Sequence, residues 1–195
     1  MRLILAVSLC FASTQALAAP KSEIAVLAGG CFWGTEALYE HVKGVQDVIS
    51  GYAGGTRMGF GGPGGERTGF AEAVRIRYDP SQVSYEQLLQ IFFMVAHDPT
   101  QVNRQGPDVG ERYRSAIFPQ NADQRRVAER YLAGLRASKR FTKPIATRIE
   151  TGGFEMAEPE HQDFVRKHPR SQYVIVYDLP KLRELRDDYP NFWRS

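Results

Sequence analysis

The sequence predicts an α+β two-layer sandwich, a mixed sheet with a ferredoxin-like βαββαβ core and a C-terminal extension. Three observations lead there. The periodic segments run strand, helix, strand, strand, helix, strand, which is the split βαβ order. The stretch Ala71–Tyr78 alternates with period two, as a strand with one buried face does. The stretch after it, Tyr85 to His97, carries Leu88, Leu89, Phe92, Phe93 and Val95 at helical spacing behind the capping box Ser84-Tyr85-Glu86-Gln87.

Taken in order, Ile24–Ala28 is an apolar run of strand length. Gly29-Gly30 then allows a tight turn into a helix over Cys31–Val42, ended near Gly44. Val45–Tyr52 reads as the second strand. Residues 51–69 hold nine glycines and read as a long loop. Its Gly59-Phe60-Gly61-Gly62-Pro63-Gly64 is a formal G-x-G-x-x-G, but a strand pattern follows it, so a dinucleotide site is rejected. Asp79-Pro80-Ser81 ends the third strand, and His97-Asp98-Pro99 closes the second helix. A polar loop leads to a strand over Tyr113–Phe118. Asn121 caps a basic helix reaching about Ser138, whose Arg125, Arg126 and Arg136 to Arg140 form a solvated face. Ile145–Glu150 reads as a strand, Glu158–Lys167 as a short helix, and Leu179–Asp187 as another.

Residues 1–18 stand apart from the fold. Arg2, the apolar Leu3–Ala12 and the small-x-small Ala16-Leu17-Ala18 make an export leader, with cleavage expected after Ala18. The apolar run is too short to span a bilayer. Residues 19–195 are then a single domain, exported to the periplasm or secreted, with no membrane attachment and an expected monomeric state. The mature chain keeps 24 basic and 22 acidic residues and one of the two cysteines. With no run of five basic residues, nucleic acid is not indicated. One cysteine and four scattered histidines offer no ligand spacing, so no metal is expected.

A lone cysteine in an oxidising compartment is either buried and inert or kept for chemistry. Cys31 lies where the glycine pair delivers it to the first turn of a helix, and there the dipole and free N–H groups favour a thiolate. Glu72 stands at the mouth of an otherwise apolar strand, where a carboxylic acid tends to hold its proton near neutral pH. Tyr113 adds a phenol that can hold an oxygen by hydrogen bonding. Nucleophile, acid and phenol together suit attack on a polarised atom that gives up oxygen.

Gly30-Cys31-Phe32-Trp33-Gly34-Thr35-Glu36 resembles the signature of the A-type peptide methionine sulfoxide reductases. Supporting matches are Gly51-Tyr52-Ala53-Gly54-Gly55, Gly69-x-Ala71-Glu72-Ala73-Val74, His97-Asp98-Pro99-Thr100, the run from Arg104-Gln105-Gly106 through Asp108 and Gly110 to Tyr113-Arg114-Ser115-Ala116-Ile117, and Ala157-Glu158-x-x-His161-Gln162. The resemblance implies that Cys31 attacks the sulfur of a methionine-S-sulfoxide, free or in a protein, and becomes a sulfenic acid. It implies that Glu72 gives the oxygen a proton and Tyr113 helps hold it. Asp108 then helps position the site, and Phe32 and Trp33 form the apolar pocket for the methyl group. Glu36 is expected to support the helix, and His161 to pack near the site.

The pattern is departed from in two places. Counting twelve back from Glu72 reaches Phe60 where the family has a second tyrosine, and Phe70 stands where it has histidine; if Phe60 occupies that place, Tyr113 is the sole phenol donor. Glu155, Pro159 and Glu160 replace family residues in one wall. With no cysteine after Cys31, recycling falls to an external thiol or an exported thioredoxin-like partner, and no cofactor is called for. The rival classes are a non-catalytic relative that binds methionine sulfoxide or an oxidised partner, and a cysteine hydrolase, for which no histidine has a clear claim.

Overall fold

The computed structural model describes residues 22–55 and 69–195. The leader (1–18), the Gly59–Gly64 motif and Phe60 lie outside the described residues. The first half follows the expected order. Strand β1 (Glu23–Gly29) leads into helix α1 (Phe32–Glu40), then come β2 (Val45–Gly54), β3 (Phe70–Tyr78) and α2 (Tyr85–Ile91), continued by a π-helical turn over Phe92–Ala96. A two-residue hairpin follows, β4 (Arg104–Gln105) and β5 (Asp108–Val109). A 3-10 turn over Glu111–Tyr113 leads to β6 (Ser115–Ile117), α3 (Ala122–Ala137), β7 (Arg148–Ile149) and β8 (Phe154–Met156). The C-terminal extension holds a 3-10 turn over Pro159–His161, α4 (Phe164–Lys167), a π-helical turn over Val174–Asp178 and α5 (Leu179–Asp188).

The main sheet runs β7-β6-β1-β3-β2-β8. Its inner four strands, β6-β1-β3-β2, are antiparallel throughout, and β6 pairs β7 in parallel. This is the ferredoxin-like arrangement in a mixed sheet. α1, α2, α3 and α5 pack on one face, burying Ala25, Leu27, Val74, Ile76 and Ile117 against Leu38, Leu88, Leu89, Phe92, Leu132 and Leu185. Each such buried Val, Leu, Ile or Phe side chain contributes about 1.5–3 kcal/mol of hydrophobic free energy. The opposite face is a smaller cluster of Val26, Ala28, Ala53, Ala71, Ala73, Ala116 and Phe118.

Several expected boundaries shift, each for a local reason. Ala53 and Gly54 extend β2 beyond Tyr52 because they pair with Ala71 and Phe70 of β3 rather than opening the loop. The second helix leaves α geometry at Phe92, where the His97 ring bonds the Phe92 carbonyl at 2.8 Å. Tyr113 is not in a strand. It ends the 3-10 turn, and pairing with β1 starts only at Ser115. Only Arg148–Ile149 of the expected 145–150 strand pair with β6. The expected helix Glu158–Lys167 is broken at Gln162 and Asp163, the latter in a left-handed conformation (φ 55°). There the Gln162 amide bonds Ser50 N–H and C=O at 3.0 and 2.9 Å, as a neighbouring strand would, and Asp163 N–H bonds Glu36 at 3.0 Å. These long-range partners outweigh two turns of helix.

Candidate active site

The site lies where β1 ends and α1 begins. Gly30, at φ +98°, makes the turn, and a Cβ there would stand 2.5 Å from Gln105 Cβ. Only glycine allows the β4–β5 hairpin to close this tightly, and the hairpin carries Asp108 to the site. Cys31 is the N-cap of α1 and 8% exposed, with the Trp33 backbone N–H near its sulfur favouring the ionised form. The next free donor, Phe32 N–H, bonds Glu72 Oε2 at 3.3 Å. The first turn of one helix thus holds both the thiol and the acid.

Glu72 comes from β3, on the face that carries Val74 and Ile76. Directly opposite it on β2 is Tyr52, whose ring meets the Phe32 ring edge-on at 5.5 Å. Tyr113 is set by Arg114, a buried guanidinium that pairs with Glu150 at 2.8 Å and donates to the carbonyls of Glu111 and Gly69. That one cation ties the 3-10 turn to the start of β3, and so Tyr113 to Glu72.

Cys31, Phe32, Trp33, Tyr52, Glu72 and Asp108 line a cavity of about 430 Å³, closed by Arg112, Tyr113, His161 and Tyr173. Cys31, Phe32, Trp33, Glu72, Asp108 and Tyr113, the six residues expected from the sequence, therefore meet. The remaining wall is the C-terminal extension. Trp33 stacks on Phe164 at 3.6 Å between ring centroids, and its indole N–H donates to His161 Nδ1 at 3.3 Å. The Tyr173 hydroxyl donates to Asp108 and lies near the Cys31 sulfur.

Tyr52 and Tyr173 correct the expectation that Tyr113 is the sole phenol of the site. Tyr52 could have been found by its period-two position on β2. Tyr173 has no local signal, because it follows an irregular, Pro169-containing stretch. Glu36 is buried and accepts from the backbone N–H groups of Ser50 and Asp163, so it ties α1 to β2 and to the C-terminal extension rather than bracing the helix's own first turn.

The electrostatics overturn one expectation. Burial pushes the Cys31 thiol well above its ordinary range. Glu72 and Asp178 add to this, and the Trp33 N–H and Tyr173 hydroxyl only partly oppose it. Cys31 caps the helix N-terminus, but desolvation outweighs the dipole and favours the thiol over the thiolate. The same burial raises Glu72 to about 7, against the Phe32 N–H and Arg112. Tyr113 rises to about 12, again mainly by burial, and Tyr173 higher still, so both phenols remain donors. The site can keep two protons, on Cys31 and Glu72, beside an apolar wall, with phenols placed to hold an oxygen.

A ferredoxin-like sandwich with this grouping describes an oxidoreductase that works through a cysteine, with an acid in attendance. The family model for peptide methionine sulfoxide reductase matches residues 23–191, and the chain belongs to that family. It is 52% identical over 171 residues to a Synechocystis protein named peptide methionine sulfoxide reductase MsrA 2, covering 86% of this chain and 80% of that one. A Mesorhizobium japonicum protein of the same name is 49% identical over 176 residues, covering 89% and 90%. Among solved structures, reduced Mxr1 from Saccharomyces cerevisiae superposes with a TM-score of 0.67 at 32% identity, over 82% of this chain and 92% of that one. Methionine sulfoxide reductase A of Corynebacterium diphtheriae gives 0.62 at 34%, over 77% of each.

Proposed function

We propose that this chain reduces methionine-S-sulfoxide, free or in proteins, to methionine, using Cys31 as nucleophile and Glu72 as acid. The observation that carries the reading is the shared first turn of α1, whose residues hold the thiol and receive the acid over one cavity. The Phe32 and Trp33 rings form a wall of the size and polarity a thioether methyl needs. Glu72 protonates the sulfoxide oxygen, with Tyr113, Tyr173 and Tyr52 available as phenol donors around it. Asp108 fixes the Tyr173 hydroxyl.

As the Cys31 sulfur attacks the sulfoxide sulfur, the thiol proton passes to the Glu72 carboxylate and replaces the one given to the oxygen. Oxygen passes to Cys31, giving a sulfenic acid. The substrate sulfur is reduced by two electrons and released as methionine, while the enzyme sulfur is oxidised by two. An external thiol then attacks the sulfenic acid, water leaves, and a second thiol releases Cys31 from the mixed disulfide. Absence of any cysteine after Cys31 in the sequence supports an external reductant, a small thiol or a thioredoxin-like protein. No cofactor enters this scheme. Residues 1–18 support export to the periplasm or beyond.

The test is a reductase assay on the two separated sulfoxide epimers, for the wild type and Cys31→Ser. Turnover of the S epimer alone, lowered by at least ~10³-fold in the variant, is expected for loss of a covalent nucleophile. Saturable binding without methionine formation would instead identify a binding protein.

A further inference from the structure

Asp178 is buried completely, at the junction of the π-helical turn Val174–Asp178 and α5. Among the described residues neither of its carboxylate oxygens has a hydrogen-bond partner. Buried polar groups are almost always bonded, so one kept unpaired calls for an explanation. Its surroundings supply one. The carboxylate packs on the first turn of α1, so closely that a Cβ on Gly34 would stand 2.1 Å from Oδ1.

The charged and titratable groups that face it are few. Cys31 lies on α1, Lys181 on α5 and Asp108 on β5, with the Tyr173 hydroxyl between Asp108 and Cys31. Glu72 approaches the same sulfur from β3. The positive end of α1 is therefore shared by a sulfur and a carboxylate, and a negative charge on one disfavours a charge on the other.

We propose that Asp178 is a positioning residue of the reaction, acting on the Cys31 sulfur across the first turn of α1 and keeping it a thiol until substrate fills the cavity. It does not line the cavity, and among the described residues Lys181 is the cation placed to moderate its field. The benefit follows from the chemistry of a lone cysteine. A standing thiolate is the form that stray oxidants and disulfides attack, and no cysteine follows Cys31 in the sequence to recover from it. The C-terminal extension thereby governs the nucleophile, as well as walling the cavity. The inference rests on the reading of Cys31 as nucleophile.

The experiment is the pH profile of Cys31 alkylation by iodoacetamide, read by mass on the full mature chain without substrate. In Asp178→Asn and in Asp178→Ser the midpoint should fall by about one pH unit, so that alkylation at pH 8 rises ~10-fold, as expected for removal of one nearby like charge. Equal shifts in the two variants identify the charge as the cause. An unchanged or raised midpoint in either overturns the proposal, even where thermal stability changes. A third reading leaves Asp178 in place. In the Glu72→Gln variant, the logarithm of the alkylation rate should bend near pH 6, rising less than tenfold per unit as Asp178 ionises, whereas a straight line of unit slope overturns the proposal. No sulfoxide reduction by the wild type, with these profiles as expected, would count against the proposed function alone.

Discussion

Two stretches of chain build the cavity, and they do so by opposite means. The first turn of α1, residues 29–36, is contiguous. A glycine pair, an N-cap sulfur and successive backbone N–H groups place Cys31, Phe32 and Trp33 and receive Glu72. The C-terminal stretch, residues 159–178, is dispersed. It is held by single side chains that reach back, Gln162 to the Ser50 backbone, Glu36 to Asp163 N–H, and Trp33 to His161 and Phe164. The difference separates two tasks. The nucleophile is placed by backbone geometry that a short motif encodes, while its electrostatic setting comes from residues that only the finished fold brings near.

The sharpest way to break this comparison is at Glu72, where the first turn meets β3. Glu72→Gln keeps the shape and the Phe32 N–H bond but cannot deliver a proton, so kcat/KM should fall ~10²–10⁴-fold, the range for a lost general acid. In the wild type, kcat/KM should decline as pH rises through about 7, where Glu72 gives up its proton. That limb should vanish in the variant. Stability should move the other way. The folded chain holds the Glu72 proton up to about 7, against 4.5 for an ordinary glutamate. The folding advantage of the protonated form is therefore complete below about pH 4.5 and lost as pH rises through 7. Glu72→Gln should melt a few degrees above the wild type at pH 8 and close to it at pH 5. A lower melting temperature at pH 8 would show that Glu72 is a structural acid.

The C-terminal stretch is probed next by Tyr173→Phe, which removes the hydroxyl between Asp108 and Cys31. One lost donor among several phenols should lower kcat about 10-fold, with KM little changed, because the apolar wall stays intact. A rise in KM alone would make Tyr173 part of the wall and nothing more.

How much of this could be read from the chain follows the same division. The core strands and helices were legible because each has a local period and a cap, as Ser84 and Gln87 show at α2, where both bonds of the capping box are present. Cys31 was legible from the glycines before it, and Glu72 as an acid interrupting an apolar strand. Tyr173 and Asp178 were not. Both lie in a stretch whose shape is dictated by distant partners, and no periodicity announces a π-helical turn. The protonation of Cys31 was misread for the same reason. A helix N-terminus is visible in a sequence, whereas burial and the convergence of Glu72 and Asp178 on one sulfur are not.

The two stretches touch most closely at Gly34, and there the comparison can be tested for stability alone. In an isolated helix alanine is favoured over glycine by about 1 kcal/mol. Here the added methyl would meet Asp178 Oδ1 at 2.1 Å and Cγ at 2.8 Å, inside a fully buried contact. Overpacking of this kind costs about 1–3 kcal/mol, so the clash outweighs the helical preference and Gly34→Ala should be destabilising in urea unfolding. In an Asp178→Ala background the obstructing carboxylate is gone, and the same Gly34→Ala change should become neutral or stabilising. The coupling between the two sites should then reach about 2 kcal/mol, well beyond the additivity expected of independent positions. Additive effects would mean that α1 and the C-terminal segment pack independently, and the electrostatic reach of Asp178 to Cys31 would lose its structural basis.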